Sequence, residues 1–546
     1  MSYSATDLRV SYGAMKAERS VTTSNWKEYA RYAWPENDFF WLQNNTASKG
    51  QQKNQRIYDS TAELSLDKFS ALMQNLLTPH SKRWHEMEFM DPILNEDHDA
   101  KLYLQEITNR MFNMRYSGKT GFQHNLDLAY KNLGVYGTQA LFIDYNKRDG
   151  LRYHSYFMGD IYIKENFQGR IDTVYRRFDF TPQQAIDAFP DGNIPDQIRR
   201  LANNKQEMNA TNEYLHIVMP DDHFDQRKPT TRRFKSVYLL IDGGDIIEEG
   251  GYDTMPYIVS RFSLSPTEAY GRGPASKCFP DIKSVNAARR SIMRQGQRMV
   301  DPPILAYNDN RMSPGMTQTQ LQNGGVVMGG VDENGRPTIQ PWNSGAQLNA
   351  GYMEVEVLTN SIKAHFLVDM FEIFMNKDRM TATEFIGRDR EKNVIISPAM
   401  DRQQPELLAM MIEREFDILG QMGLMPQKPP ILEGRKSGVK PVYTSPLNRL
   451  QKAEEMQGMQ AVMQEAIAIA PFNPAIMDTI NDEAYLRLTV DGFGAPEKMI
   501  RSVDEIAAIR QQRAQQQQMA QQAEMQNQLA DSNLKNAKAR SELAGV

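Results

Sequence analysis

The sequence predicts an α+β chain built mainly of helices, and three observations predict it. Two helical runs, 280–300 and 348–371, bracket a glycine-rich insert; strand-like pieces group between Ala140 and Glu248 with helices on either side; and the chain from Ser445 onward reads as increasingly polar helix. At 546 residues it exceeds what one core usually organises, so several domains are expected.

The N-terminal section to about Pro92 reads as helical. Trp26, Tyr29, Ala30 and Ala33 lie at helical spacing until Trp34-Pro35 breaks the run, and a polar loop follows from Gln43 to Lys53. Tyr58-Asp59-Ser60-Thr61 opens the next helix, with Asp59 or Ser60 as its cap and Leu64, Phe69, Leu72 and Leu76 on its apolar face; Thr78-Pro79 ends it. Met87 and Phe89 alternate with Glu86 and Glu88, a strand pattern. From Glu96 the pattern returns to helix until Gly134–Gly137 breaks it, and Ala140 to Tyr145 reads as a buried strand.

Further strand pieces follow at Ile161–Ile163, Thr173–Tyr175, Tyr214–Met219 and Ser236–Ile241. A helix is expected around Pro182–Phe189, and Asp242-Gly243-Gly244 is a tight turn into Asp245–Glu248. Beyond Phe371, the segment to Met380 reads as an exposed loop, Thr381-Ala382-Thr383-Glu384 as a capping box, and Pro405–Leu419 as a helix. Arg510 to Gln528 is mostly Gln, Ala and Met, good helix formers whose apolar stripe is too thin for an isolated folded helix.

The bracketing helices organise the rest. Pro280 suits a first helical turn, and Asp301-Pro302-Pro303 stops the run, which would extend for roughly 30 Å at about 1.5 Å per residue. Lys283, Arg290, Arg294 and Arg298 are spaced by seven, four and four and stack along one face, while Ile282, Val285, Ile292 and Met299 mark another. The second run places Val355, Leu358, Ile362 and Phe366 at helical spacing and carries Glu354, Glu356 and Asp369, which could complement the basic face. The insert from Ala306 to Gly345 places Gly315, Gly324, Gly325, Gly329, Gly330 and Gly335 around Val326–Met328 and Thr338–Gln340, a small strand-and-turn excursion without a core of its own.

Composition narrows the function. A net charge of −5 excludes a globally basic nucleic-acid coat but allows local basic faces. Cys278 is the single cysteine, so there is no intrachain disulfide and no thiolate zinc site, which fits a reducing compartment. No apolar run approaches the roughly 20 residues that span a bilayer, and Met1–Val21 lacks a signal-peptide core, so a soluble protein made in a cytoplasm is expected, with no membrane partner.

Ser117-Gly118-Lys119-Thr120 has the ending of a phosphate-binding loop, but Asn113 stands where its first glycine belongs and the stretch follows a helix, so no ATP hydrolysis is expected. Gly271 and Gly273 read as a hinge. His80, His85 and Asp221-Asp222-His223 lack a matching ligand cluster; no metal site and no cofactor are expected.

Several motifs, taken together, resemble the head-to-tail connector, or portal, family of short-tailed bacteriophages in its T7-like branch. They are Trp34-Pro35, Tyr58-Asp59-Ser60-Thr61, Leu77-Thr78-Pro79 with Trp84, Tyr136-Gly137-Thr138, Tyr270-Gly271-Arg272-Gly273-Pro274, Asp301-Pro302-Pro303, Met380 to Glu384, and Pro446-Leu447-Asn448-Arg449. Each is weak alone; their shared order along nearly the whole chain is specific.

The resemblance implies a portal fold and a ring, typically dodecameric, at one capsid vertex, with a channel for packaging and ejecting double-stranded DNA. Its plan would place an α+β wing at 1–270, stem helices at 271–300 and 347–371, a strand-rich clip at 301–346, a tunnel loop at 372–380, a further wing or inner helical region at 381–444, and a crown, extended into a possible helical barrel, at 445–546. The implied partners are further copies of the chain, double-stranded DNA, major capsid and scaffolding proteins, the terminase large subunit, tail adaptor and tube proteins, and internal core proteins. The implied location is the virion, after assembly in the host cytoplasm.

On this reading Lys283, Arg290, Arg294, Arg298, Lys377 and Arg379 are candidates to face the DNA. Two alternatives stay open. Arg290 and Arg294 could instead pair with Glu354, Glu356 or Asp369 of the adjoining helix or of a neighbouring subunit. Scattered carboxylates such as Asp160, Asp242 and Asp245 could assemble a Mg²⁺-dependent nuclease or nucleotidyl transferase, although Asp beside a glycine turn is more commonly a turn former.

Overall fold

The computed structural model describes residues 4–37, 57–80, 83–146, 150–204, 210–225, 231–300, 304–306, 334–337, 339–341, 348–369, 401–432, 438–443, 446–473, 479–493 and 503–543, with isolated positions between them. They form two compact units, Met1–Ser81 with Met114–Gln421, and Lys82–Asn113 with Met422–Val546. Helices and sheets are both present, as an α+β chain requires.

The chain opens with α1 (Ala5–Glu18), α2 (Ser20–Ala33) and α3 (Thr61–Leu77). After β1 (His85–Phe89) come α4 (His98–Arg115) and α5 (Phe122–Tyr136). Eight strands follow: β2 (Thr138–Asn146), β3 (Gly150–Ser155), β4 (Ile161–Glu165), β5 (Ile171–Phe180), β6 (Asn212–Pro220), β7 (Phe234–Leu240), β8 (Ile246–Tyr252) and β9 (Tyr257–Arg261). Two short helices, α6 (Pro182–Ala188) and α7 (Asp196–Asn203), lie between β5 and β6.

In the first unit, strands β4 to β8 form an antiparallel meander in sequence order, covered on both faces. One face of β6, Leu215 and Ile217, packs with Val237 and Leu239 under Leu8, Tyr12 and Met15 of α1. The opposite face, through Tyr214, packs with Leu240 and Ile247 against Ala185 of α6, Phe189 just past its end, and Ile198 of α7. The strand expected at Tyr214–Met219 is thus buried on both faces, and its period-two alternation feeds two separate clusters.

The second sheet has the order β3-β2-β9, and helix α5 lies between it and α3. The helix break expected over Gly134–Gly137 is confined to Gly137. Gly134 stays inside α5 because a Cβ there would stand 2.6 Å from Leu66 of α3, so the glycine permits close packing and is no breaker. Gly137 caps the helix at φ 72°, a left-handed conformation that costs glycine little.

A helix runs from residue 401 to Gln421, with a π-helical stretch at Gln404–Ala409 where Pro405 cannot donate the usual amide. Buried polar groups fasten this helix to the small sheet. Glu415 takes Arg115 as ion-pair partner at zero exposure for both, and Tyr153 donates to Glu415 at 2.5 Å.

In the second unit β1 pairs antiparallel with β12 (Val439–Tyr443), a strand the sequence conceals behind Pro441. Besides most of α4, this unit holds the helices Pro446–Ile469, Asp482–Phe493 and Val503–Leu543, so the C-terminal stretch is helical as expected. From 511 to 533 every side chain is exposed.

Candidate nucleic-acid interface

The first bracketing helix is α9 (Phe279–Val300), entered through a short helical turn, α8 (Pro274–Lys277). The second is α10 (Leu348–His365). Its regular part ends at His365; a turn at 366–367, where Leu367 takes a left-handed φ of 59°, is followed by helix at 368–369, and the expected end at Phe371 lies outside the described residues. Between them only scattered residues are described: β10 (Ile304–Ala306) pairs antiparallel with β11 (Ile339–Pro341), while Val326–Met328 lies outside the described residues.

α9 and α10 pack antiparallel. Ser361 donates to Asp281 at 2.7 Å near one end, and a Cβ on Gly351 would meet Ile292 at 3.2 Å nearer the other. Full burial is confined to the first turns of α9. Ile282 and Val285 are buried, Phe279 meets Tyr29 edge-on with centroids 4.7 Å apart, and beyond Val285 no side chain of the helix is buried.

Tyr58-Asp59-Ser60-Thr61 clasps the middle of α9. The Tyr58 amide donates to Asn286 at 2.7 Å, and Asp59, almost fully buried, holds Arg289 at 2.6 Å. Asp59 also accepts from the Thr61 amide at 2.8 Å, so it, and not Ser60, caps α3 with its side chain. Arg289 falls outside the seven-and-four spacing of the basic row, so sequence pattern alone passes over this link.

Of the candidate residues, Lys283 is paired with Glu28 of α2 and lies 4.6 Å from the Phe279 ring centre. Arg290 is exposed, with its guanidinium 5.6 Å from the Tyr58 ring centre. Arg294 and Arg298 are exposed and have no ion pair among the described residues. Among the described residues neither Arg290 nor Arg294 pairs with Glu354, Glu356 or Asp369 of its own chain. Lys377 and Arg379, with the rest of the 372–380 loop and the Thr381–Glu384 capping box, lie outside the described residues.

The remaining motifs resolve into structure. Tyr136-Gly137-Thr138 and Tyr270-Gly271-Arg272-Gly273-Pro274 interlock: a Cβ on Gly137 would stand 2.3 Å from the Gly273 amide, one on Gly271 2.3 Å from the Gly137 carbonyl, and Gly271 donates to Thr138 at 2.8 Å. What the sequence suggests as a hinge is a backbone-on-backbone crossing that only glycine fits. Thr120 of the phosphate-loop look-alike spends its hydroxyl on the Arg115 and Ser117 carbonyls, as helix-end chemistry requires.

Asp160 precedes β4 and Asp242 follows β7 in the turn to β8, so they belong to opposite edges of the five-stranded sheet, and Asp160 is 3.4 Å from Arg177. Among the described residues no group of three His, Cys, Asp or Glu is placed to hold a metal ion, and no helix is long and apolar enough to cross a membrane. A cavity of about 360 Å³ between α2 and Tyr270 is lined by Arg19, Trp26, Tyr29 and Tyr136, but Arg19 is spent on the Met158, Gly159 and Ile161 carbonyls. Cys278 is buried, and that burial pushes its thiol up to about 12.

The model of the bacteriophage head to tail connecting proteins matches residues 5–500. The chain belongs to this family. The connector is similar to the probable portal protein of Bordetella phage BPP-1, 26% identical over 538 residues that cover 96% of this chain and 94% of the relative. It is also similar to the portal protein of Salmonella phage epsilon15, 23% identical over 515 residues, or 92% and 90% of the two chains. The family is a structural one, so the carboxylates weighed above for a nuclease are parts of turns and ion pairs in a portal protein.

Proposed function

We propose that the connector closes into a ring, dodecameric on the family pattern, that conducts double-stranded DNA into and out of a capsid through a channel lined by the basic row of α9. The observation that carries this reading is the outward row Lys283, Arg290, Arg294 and Arg298, of which the last two are unpaired among the described residues. A duplex presents a phosphate about every 1.7 Å of its axis, and a passage must offset that charge without gripping base edges. Guanidinium groups repeated by rotation supply a positive, sequence-blind wall.

In this reading α9 and α10 are the stem, the residues around 301–346 the clip, the loop at 372–380 the tunnel constriction carrying Lys377 and Arg379, the α+β region to residue 270 the wing, and the chain from Ser445 the crown. Terminase docks on the ring during packaging and tail proteins replace it; capsid, scaffolding and internal core proteins contact the wing and crown. Assembly takes place in the host cytoplasm. The Arg294→Glu, Arg298→Glu double variant tests the lumen assignment: rings should form and DNA packaging should fall. Normal packaging by such rings would remove these residues from the channel.

A further inference from the structure

The helix pair has two chemically different flanks. Residues on an α-helix turn by about 100° each, so Arg290, two positions from Ile292, lies about 200° round from the point where α9 touches α10. Glu356 is five positions from both Gly351 and Ser361, so on α10 it lies about 140° from either contact with α9. One flank of the pair therefore carries a guanidinium and the other a carboxylate. Glu356 is exposed and unpaired among the described residues, and beside it Tyr352 and Met353 are 57% and 70% exposed.

Height matters as much as direction. The contacts Gly351 to Ile292 and Ser361 to Asp281 put Glu356 level with positions 286–287 of α9. Arg290 and Lys283 are each within about 5 Å of that level at about 1.5 Å per residue. Lys283 is engaged by Glu28, whereas Arg290, although 5.6 Å from the Tyr58 ring centre, has no ion pair among the described residues. Rotation about an axis along the helix pair keeps heights unchanged, so equal level on opposite flanks is the geometry by which identical copies meet head to tail and close a ring.

We propose that Glu356 of one copy pairs with Arg290 of the next, with Tyr352 and Met353 packed against the aliphatic part of the same basic row. The proposal rests on the ring reading above. It divides the row: Arg290 serves the contact between copies, while Arg294 and Arg298, wound further round the helix by about 40° per four residues, keep the lumen.

Charge exchange on the full-length chain tests it, read by sedimentation and by negative-stain imaging. The wild type should form rings. Glu356→Arg and Arg290→Glu should each place like charges across the contact and raise the concentration needed for assembly by about tenfold or more, while Glu356→Gln should raise it less. The double variant should restore assembly, and below the assembly concentration every variant should melt at the temperature of the wild-type single chain. Single reversals that assemble normally, or a double variant that stays dissociated, would overturn the pair while leaving the ring intact. A wild-type chain that never forms rings would overturn the ring reading and the pair with it.

Discussion

His216 shows how far burial sets the chemistry of a single side chain. It lies fully inside the first unit, with Nδ1 2.6 Å from the Tyr257 hydroxyl, Nε2 2.9 Å from Ser236 and its ring stacked on Tyr238. Burial, with the Arg176 charge nearby, holds its pKa well below the ordinary imidazole value, and His154 is lowered for the same reasons. The unfolded chain then binds protons that the folded one refuses. Stability is therefore complete above about pH 6.5 and declines as pH falls through that value towards the folded pKa. Thermal midpoints measured between neutral and mildly acid pH should fall, and His216→Gln should flatten the slope; an unchanged slope would show that other groups govern it.

The Arg115–Glu415 pair makes a second residue-scale prediction. Removing one partner leaves the other charge buried without compensation, at about 3–5 kcal/mol. Glu415→Ala should lower the urea midpoint accordingly, while the joint replacement Arg115→Met with Glu415→Leu should cost much less. Equal losses would show that packing, and not the stranded charge, dominates. Neither partner was legible in the sequence as one of a pair, because they stand 300 positions apart and only the fold joins them.

At the scale of elements, runs of β-branched and aromatic residues disclosed even the buried β2 and β6, while shorter elements escaped. α9 was legible from its one-sided charges and its flanking prolines, and β7 from its approach to a glycine turn. β9, whose five residues are all buried, has no alternation to see, and the short α7 offers too few turns to establish a period. The turn at 366–367 that interrupts the run was not legible, because Leu367 belongs to a residue type that rarely adopts positive φ. The basic row was legible, since spacing alone reports a face; its neighbours on α2 and at Tyr58-Asp59 were not. The glycine crossing gives this scale its prediction. Gly137→Ala introduces both left-handed strain and a 2.3 Å contact, and should destabilise by about 2–5 kcal/mol in denaturant melts. A near-neutral result would mean that the crossing can open.

For the molecule as a whole, the long C-terminal helix contributes little to one copy. Its side chains from 511 to 533 are all exposed, including Met519, Met525 and Leu529. Such a helix gains stability from neighbours more than from its own propensity. Truncation after Ile500 should leave the melting temperature of the remaining chain unchanged, and calorimetry of the two lengths would check this. A marked drop would show that the helix is already supported within a single copy.

The sealed thiol of Cys278 has a practical side. With its proton held far above neutral pH and its sulfur shielded, the only native cysteine is a poor target for maleimide reagents. A cysteine introduced at an exposed position away from the contact between copies, such as Gln297, would then be the one reactive handle on the chain. Fluorophores or cross-linkers could report the distance between adjacent copies without first stripping the protein of its natural sulfhydryl.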